Sequence, residues 1–156
     1  MLERPLDLML ADRELDFPFC VCWANENWSR RWDGSEEDVL IAQQYRPNDP
    51  ERFIRDLEPV LKDPRYITVD GAPLLLVYRP SILPDVRAAI ATWRATAASL
   101  GIQRLHLCAM RSALYDSGLD DGFDAMVEFP PHSIAVGEIT TSVVDLASGF
   151  EGKIFS

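Results

Sequence analysis

The sequence predicts an α/β fold: a parallel sheet with flanking helices that forms part of a (β/α)8 TIM-like barrel. Three observations carry that expectation. Short, nearly continuous apolar runs alternate with stretches of helical periodicity, no glycine-rich turn follows any of the runs, and polar groups gather just past the runs' carboxyl ends. An apolar run without in/out alternation is the pattern of a strand covered on both faces, as in parallel sheets. The 156 residues, 47% of them apolar and free of low-complexity tracts, suffice for one packed core and predict one domain over residues 1–156.

The elements follow in chain order. Residues Leu2 to Leu10 fit a helix, and FPFCVCW (Phe17 to Trp23) is the first main strand. Asp49-Pro50 starts a helix with proline in its first turn, where the missing N–H is not needed, and Phe53, Ile54, Leu57, Val60 and Leu61 share one face. LLLVY (Leu74 to Tyr78) is the second main strand, entered through YITVDGAP, where Asp70-Gly71 is a hairpin turn signal. Asp85 to Leu100 is a second amphipathic helix with Trp93 in its apolar face and Gly101 placed as a C-terminal cap. LHLCAM (Leu105 to Met110) and AMVEF (Ala125 to Phe129) complete four strands, expected to be parallel neighbours in sequence order, while Ala135 to Ser156 carries little pattern.

Such an order allows either a doubly wound open sheet or part of a barrel. The usual phosphate cradle of a nucleotide-binding sheet is missing. Asn25 and Glu26 follow strand one, Tyr78 and Arg79 close strand two, Arg111 follows strand three and Glu128 nears the end of strand four. That is the carboxyl-end rim on which barrel active sites are built. A complete barrel takes about 250 residues, so this chain supplies about half of one and the remainder of the barrel is missing from it.

Charge narrows the partners. A formal net charge of −10 and a sequence pI near 4.6 disfavour nucleic acid and anionic membranes, which recruit clustered Lys and Arg. No apolar run is long enough for a transmembrane segment, and the acidic start MLERPLDLML does not resemble a signal peptide, which predicts a cytoplasmic protein. The three cysteines, Cys20, Cys22 and Cys108, are expected to be buried and reduced, and their spacing supplies too few ligands for a metal. No cofactor is implied.

The stretch WANENWSRRWD (Trp23 to Asp33) holds three tryptophans beside two asparagines, a glutamate, two arginines and an aspartate. Sugars present apolar C–H faces and rings of hydroxyls, so a site for them needs flat aromatic surfaces and planar hydrogen-bonding groups. Trp23, Asn25, Trp28, Trp32 and Asp33 are therefore candidate substrate contacts, and Glu26 a candidate base. The spacing equally allows Glu26 to clamp the loop through Arg30 or Arg31. Glu128, in an apolar strand before Pro130-Pro131, is either a second carboxylate facing Glu26 or the partner of Arg79 or Arg111. Tyr78, Arg79, Arg111 and His132 complete the candidate rim, whereas His106 inside a strand reads as structural.

The segments FPFCVCWANENWSRRWDG, DPRYITVDGAPLLLVYRP and GFDAMVEFPPH resemble the WbsX-type glycosyltransferase family of bacterial surface-polysaccharide clusters, itself similar to the endo-α-mannosidase-like hydrolases of glycoside hydrolase family 99. The resemblance implies a (β/α)8 barrel acting on a sugar or oligosaccharide, with a sugar nucleotide as possible donor, and it favours a functional Glu26. It also implies earlier strands and a later carboxylate motif that this chain lacks, so the chain is similar to the middle of that domain. A hydrolase and a non-catalytic glycan-binding fragment are the alternatives. The sequence carries no DxD pair for a metal-bound sugar nucleotide.

Overall fold

In the computed structural model, which describes residues 3–30, 35–111 and 118–128, the chain runs α1 (Glu3–Ala11), β1 (Val21–Trp23), β2 (Trp28–Arg30), β3 (Ser35–Ile41), α2 (Asp49–Leu61), β4 (Thr68–Val69), β5 (Ala72–Val77), α3 (Val86–Ser99), β6 (His106–Arg111), α4 (Gly118–Asp121) and β7 (Ala125–Glu128). Strands β1, β5, β6 and β7 lie side by side in that order. All three pairings are parallel, with Trp23 opposite Val77, Leu76 opposite Cys108, and Arg111 opposite Glu128. Sequence order and parallel sense are those expected for consecutive units of a barrel rather than for a doubly wound sheet.

Local chemistry fixes the connections. Asp70 (φ 49°) and Gly71 (φ 75°) turn the β4–β5 hairpin, since a two-residue loop that matches strand twist needs positive φ at both positions. Helix α3 begins at Asp85, whose side chain accepts from the Ala88 N–H. It ends at Gly101 (φ 84°), where the Gly101 and Ile102 N–H groups return to the Ala98 and Ala97 carbonyls. Helix α2 starts at Asp49 with Pro50 in its first turn.

Helices α2 and α3 cover one face of the sheet. Leu75, Val77, Leu107 and Ala109 from the strands meet Ile54, Val60, Leu61, Ile90, Trp93 and Ala97, all buried. Each large side chain so buried stabilises the fold by about 1.5–3 kcal/mol. The opposite face, which carries Cys22, Leu74, Leu76, Cys108, Met110 and Val127, is less covered by the described residues: Cys22 is exposed, and Leu74, Leu76, Met110 and Val127 are only half-buried. Here the expectation of three buried thiols is corrected. Cys108 is buried and Cys20 half-buried, but Cys22 is exposed on the end strand of the described sheet, on the face that none of the described helices covers. Packing around its sulfur, and then the neighbouring Cys20 and Cys108, push the Cys22 thiol up to about 11.

Between β1 and β5 the segment 65–67 acts as a wedge. Phe19 bridges to Tyr66, and the Tyr66 hydroxyl accepts from the Val21 N–H at 3.2 Å while donating to the Leu74 carbonyl at 2.7 Å. Beside it, Arg65 pairs with Asp63 and donates to the carbonyls of Met9, Asp12 and Leu15, which fastens α1 to the core. The antiparallel pair β2–β3 rises from the end of β1. The sequence patterning did not predict it, because SEEDVLI has too few alternating apolar positions to read as a strand.

Candidate active-site rim at the ends of the first two main strands

Beyond Trp23 and Val77 the β1–β5 ladder continues through a side chain. The Tyr78 N–H reaches the Trp23 carbonyl at 3.0 Å. The next rung is the amide of Asn25: its Oδ1 accepts from the Arg79 N–H at 2.8 Å and its Nδ2 donates to the Arg79 carbonyl at 2.8 Å. Asn25 has no exposed surface. A buried amide must find partners for both its ends, and the Arg79 backbone supplies them. Asn25 therefore works here by holding two strand ends together.

The following residue uses the other half of Arg79. Glu26 Oε2 accepts from Arg79 Nη1 at 3.0 Å, with the two side chains 28% and 34% exposed. This pair is open enough for a substrate and sheltered enough to be stronger than a surface ion pair. Strand register brings this cation to Glu26; the Arg30 side chain and Arg31, which the spacing also allowed, lie outside the described residues.

Tyr45 is a rim residue that the sequence did not single out, since it sits in a segment without a motif. Its hydroxyl donates to the Asn25 carbonyl at 2.7 Å and lies 3.5 Å from Asn25 Nδ2. Burial raises its pKa, an effect that Asn25 and Arg79 partly oppose, so the hydroxyl stays a neutral donor. The only sequence signal would have been a tyrosine just ahead of a proline-started helix.

The other candidates are distributed. Trp23 is half-buried and turned to the helices, packed on Phe53 at 4.5 Å and edge-on to Trp93 at 5.9 Å. Trp28 is 44% exposed on β2. Tyr78 is half-buried at the end of β5. Glu128 and Arg111 face each other across β6 and β7 at 3.5 Å, with side chains 55% and 46% exposed. The desolvation problem anticipated for Glu128 does not arise, because the carboxylate emerges into solvent at the strand's last position. Trp32, Asp33 and His132 lie outside the described residues.

Each carboxylate thus has its own arginine. Glu26 follows β1 and Glu128 ends β7, with β5 and β6 between them, and in a barrel such strand ends curve toward a common axis. Paired acids in glycosyl chemistry stand roughly 5 to 9.5 Å apart. Among the described residues no three His, Cys, Asp or Glu side chains gather as a metal would require, and no helix is long and apolar enough to cross a membrane.

The sequence profile of a family described as "Glycosyltransferase WbsX" matches residues 1–151. Two curated relatives, both called "Uncharacterized protein WxcX", come from Xanthomonas campestris pv. campestris. The one from strain B100 is 39% identical over 155 residues, which is 99% of this chain and 22% of the relative. The one from strain ATCC 33913 is 39% identical over 154 residues, again 99% of this chain and 22% of the relative. The chain spans about a fifth of the length of these relatives. No solved structure matches it.

Proposed function

We propose, because this chain belongs to the WbsX glycosyltransferase family, that it supplies the Glu26–Arg79 rim of a sugar-transferring barrel engaged in bacterial surface-polysaccharide synthesis. The observation that carries the reading is the two-handed grip on Arg79: Asn25 fixes its backbone and Glu26 meets its guanidinium at 3.0 Å. A carboxylate positioned this way can take a proton from an acceptor hydroxyl. The hydroxyl oxygen then bonds to the anomeric carbon of a donor sugar as that carbon's bond to the leaving-group oxygen breaks, and the leaving group departs with the electron pair. Arg79 keeps Glu26 oriented, and Trp28 offers an exposed apolar face beside the rim.

Glu128 ends the fourth main strand beside Arg111, and we assign the pair to the far side of the rim, with Glu128 as the candidate second carboxylate where it reaches the reacting centre. Otherwise a second acid, where the chemistry needs one, comes from outside this chain. The donor we propose is a sugar nucleotide, which places the reaction in the cytoplasm where such donors are made.

The deciding experiment is product analysis on the full-length protein, offered sugar nucleotides with acceptors in one arm and oligosaccharides alone in the other. Transfer products support the reading, whereas release of sugar from oligosaccharides by water would make the protein a hydrolase with the same rim. Glu26→Gln keeps shape and hydrogen bonding while removing the charge, and turnover should fall about 100-fold or more without loss of stability. Near-normal turnover would return Glu26 to a structural clamp.

A further inference from the structure

A cavity of about 600 Å³ opens on the helix side of the sheet, between the N-terminal turns of α2 and α3 and apart from the Glu26–Arg79 pair. Its volume falls in the range of roughly 300–1,000 Å³ usual for small-molecule sites. The wall is aromatic: Trp23, Tyr45, Phe53 and Trp93 all contribute. They are mutually braced, with Trp23 on Phe53 at 4.5 Å, on Tyr45 at 6.4 Å and on Trp93 at 5.9 Å, so these rings form a fixed surface rather than a loose one.

Two features bear on what fits. Trp93 is 1% exposed, and its Nε1–H is buried, without a hydrogen-bond partner among the described residues, so the indole meets the cavity as apolar ring surface. The charges around the opening, in contrast, are already committed. Arg52 pairs with Asp56 at 3.6 Å, Asp49 accepts from the Arg46 N–H at 2.7 Å, and Asp85 caps α3. Two arginines against three aspartates leave no cationic surplus for a phosphate. Fixed aromatic faces, planar polar groups at the edge and electrical near-balance fit a neutral ring that bears hydroxyls.

We infer that this cavity is a binding site for a neutral saccharide, separate from the reacting centre and joined to it through Tyr45, whose ring lines the cavity while its hydroxyl holds Asn25. A glycan bound there is the acceptor's non-reacting end, anchored so that its reactive hydroxyl meets the rim. The inference rests on the carbohydrate reading of the rim for that last step only.

Saturation-transfer NMR on the full-length protein tests it, with methyl glycosides of glucose, galactose, mannose and rhamnose as probes and uridine monophosphate as the charged comparison. At least one glycoside should bind at concentrations on the order of 10 mM or below. Ala88→Phe fills the cavity from an exposed helix position, and Thr92→Phe does so from the next turn; either should weaken that binding 10-fold or more. Glu26→Gln should leave it within about twofold while transfer is lost. Absence of glycoside binding, binding in both filled variants as tight as in the parent, or displacement of the glycoside by uridine monophosphate would each overturn the site. Loss of transfer in Glu26→Gln with the cavity still loading separates failure of this inference from failure of the rim assignment.

Discussion

The side-chain amide of Asn25 grips Arg79 by its backbone, accepting from the N–H and donating to the carbonyl at 2.8 Å each, so that one buried residue extends a parallel ladder past the end of both strands. Everything proposed for the rim depends on this bond pair. It sets where the Arg79 guanidinium stands, and hence where Glu26 is held.

Asn25→Ala leaves both Arg79 backbone groups without partners in a buried place. Stability should fall by about 1–3 kcal/mol, and turnover should drop at least 10-fold as Glu26 and Arg79 lose register. Asn25→Asp is expected to be worse, since it sets an acceptor against the Arg79 carbonyl. Urea unfolding midpoints and turnover rates, measured side by side, check both. An Asn25→Ala variant with full activity would detach the rim from this amide.

Acid should weaken the α1 attachment in a defined window. Hydrogen bonds from the Arg65 side chain and backbone pull the Asp63 carboxyl from 3.8 down to about 2. A folded pKa below the unfolded one means that the stabilisation is fully present above about pH 4 and is lost as pH falls toward 2. Asp63→Asn should therefore lower Tm at neutral pH, and its deficit against the parent should shrink through that window. A constant deficit from pH 7 to pH 2 would show that the pair contributes no proton linkage.

How much of this could be read beforehand depended on the range of the interaction. Asp70-Gly71, Gly101, Asp85 and the two apolar helix faces act on their near neighbours, and each was legible because a positive φ or a 3.6-residue period leaves a local mark. The four parallel strands were legible for the same reason, through their unbroken apolar runs. The partner of Glu26 was not. Arg79 comes to it through strand register across 53 positions, which no local pattern encodes. Tyr45 stayed hidden because one hydroxyl bonded to a distant carbonyl leaves no periodicity. Cys22 misled because an apolar run implies cover on both faces, and among the described residues one face is left open.

Alkaline conditions should act on the wedge between β1 and β5. Burial pushes the Tyr66 hydroxyl from 10 up to about 12, so the folded state holds its proton where the unfolded chain has lost it. That stabilisation is complete below about pH 10 and disappears as pH rises toward 12. Tyr66→Phe removes the acceptor for the Val21 N–H and the donor to the Leu74 carbonyl. It should cost about 1–2 kcal/mol at pH 7 and flatten the alkaline loss, as measured by denaturant melts from pH 8 to pH 11.

Helix α4 approaches the sheet at a glycine, and that contact governs the strand bearing Glu128. A Cβ at Gly118 would stand 3.0 Å from the Ala109 Cβ and 3.1 Å from the Met126 Cγ. The methionine can swing aside, but the Ala109 Cβ is fixed to β6 and cannot. Gly118→Ala should therefore overpack the junction of α4 with β6 and β7 by about 1–3 kcal/mol. If the fixed neighbour is the cause, adding Ala109→Gly should recover part of the loss, while adding Met126→Ala should recover little and open a void of its own. Thermal melts of the three variants decide it. Rescue by Met126→Ala but not by Ala109→Gly would shift the close contact to the methionine and leave β6 uninvolved.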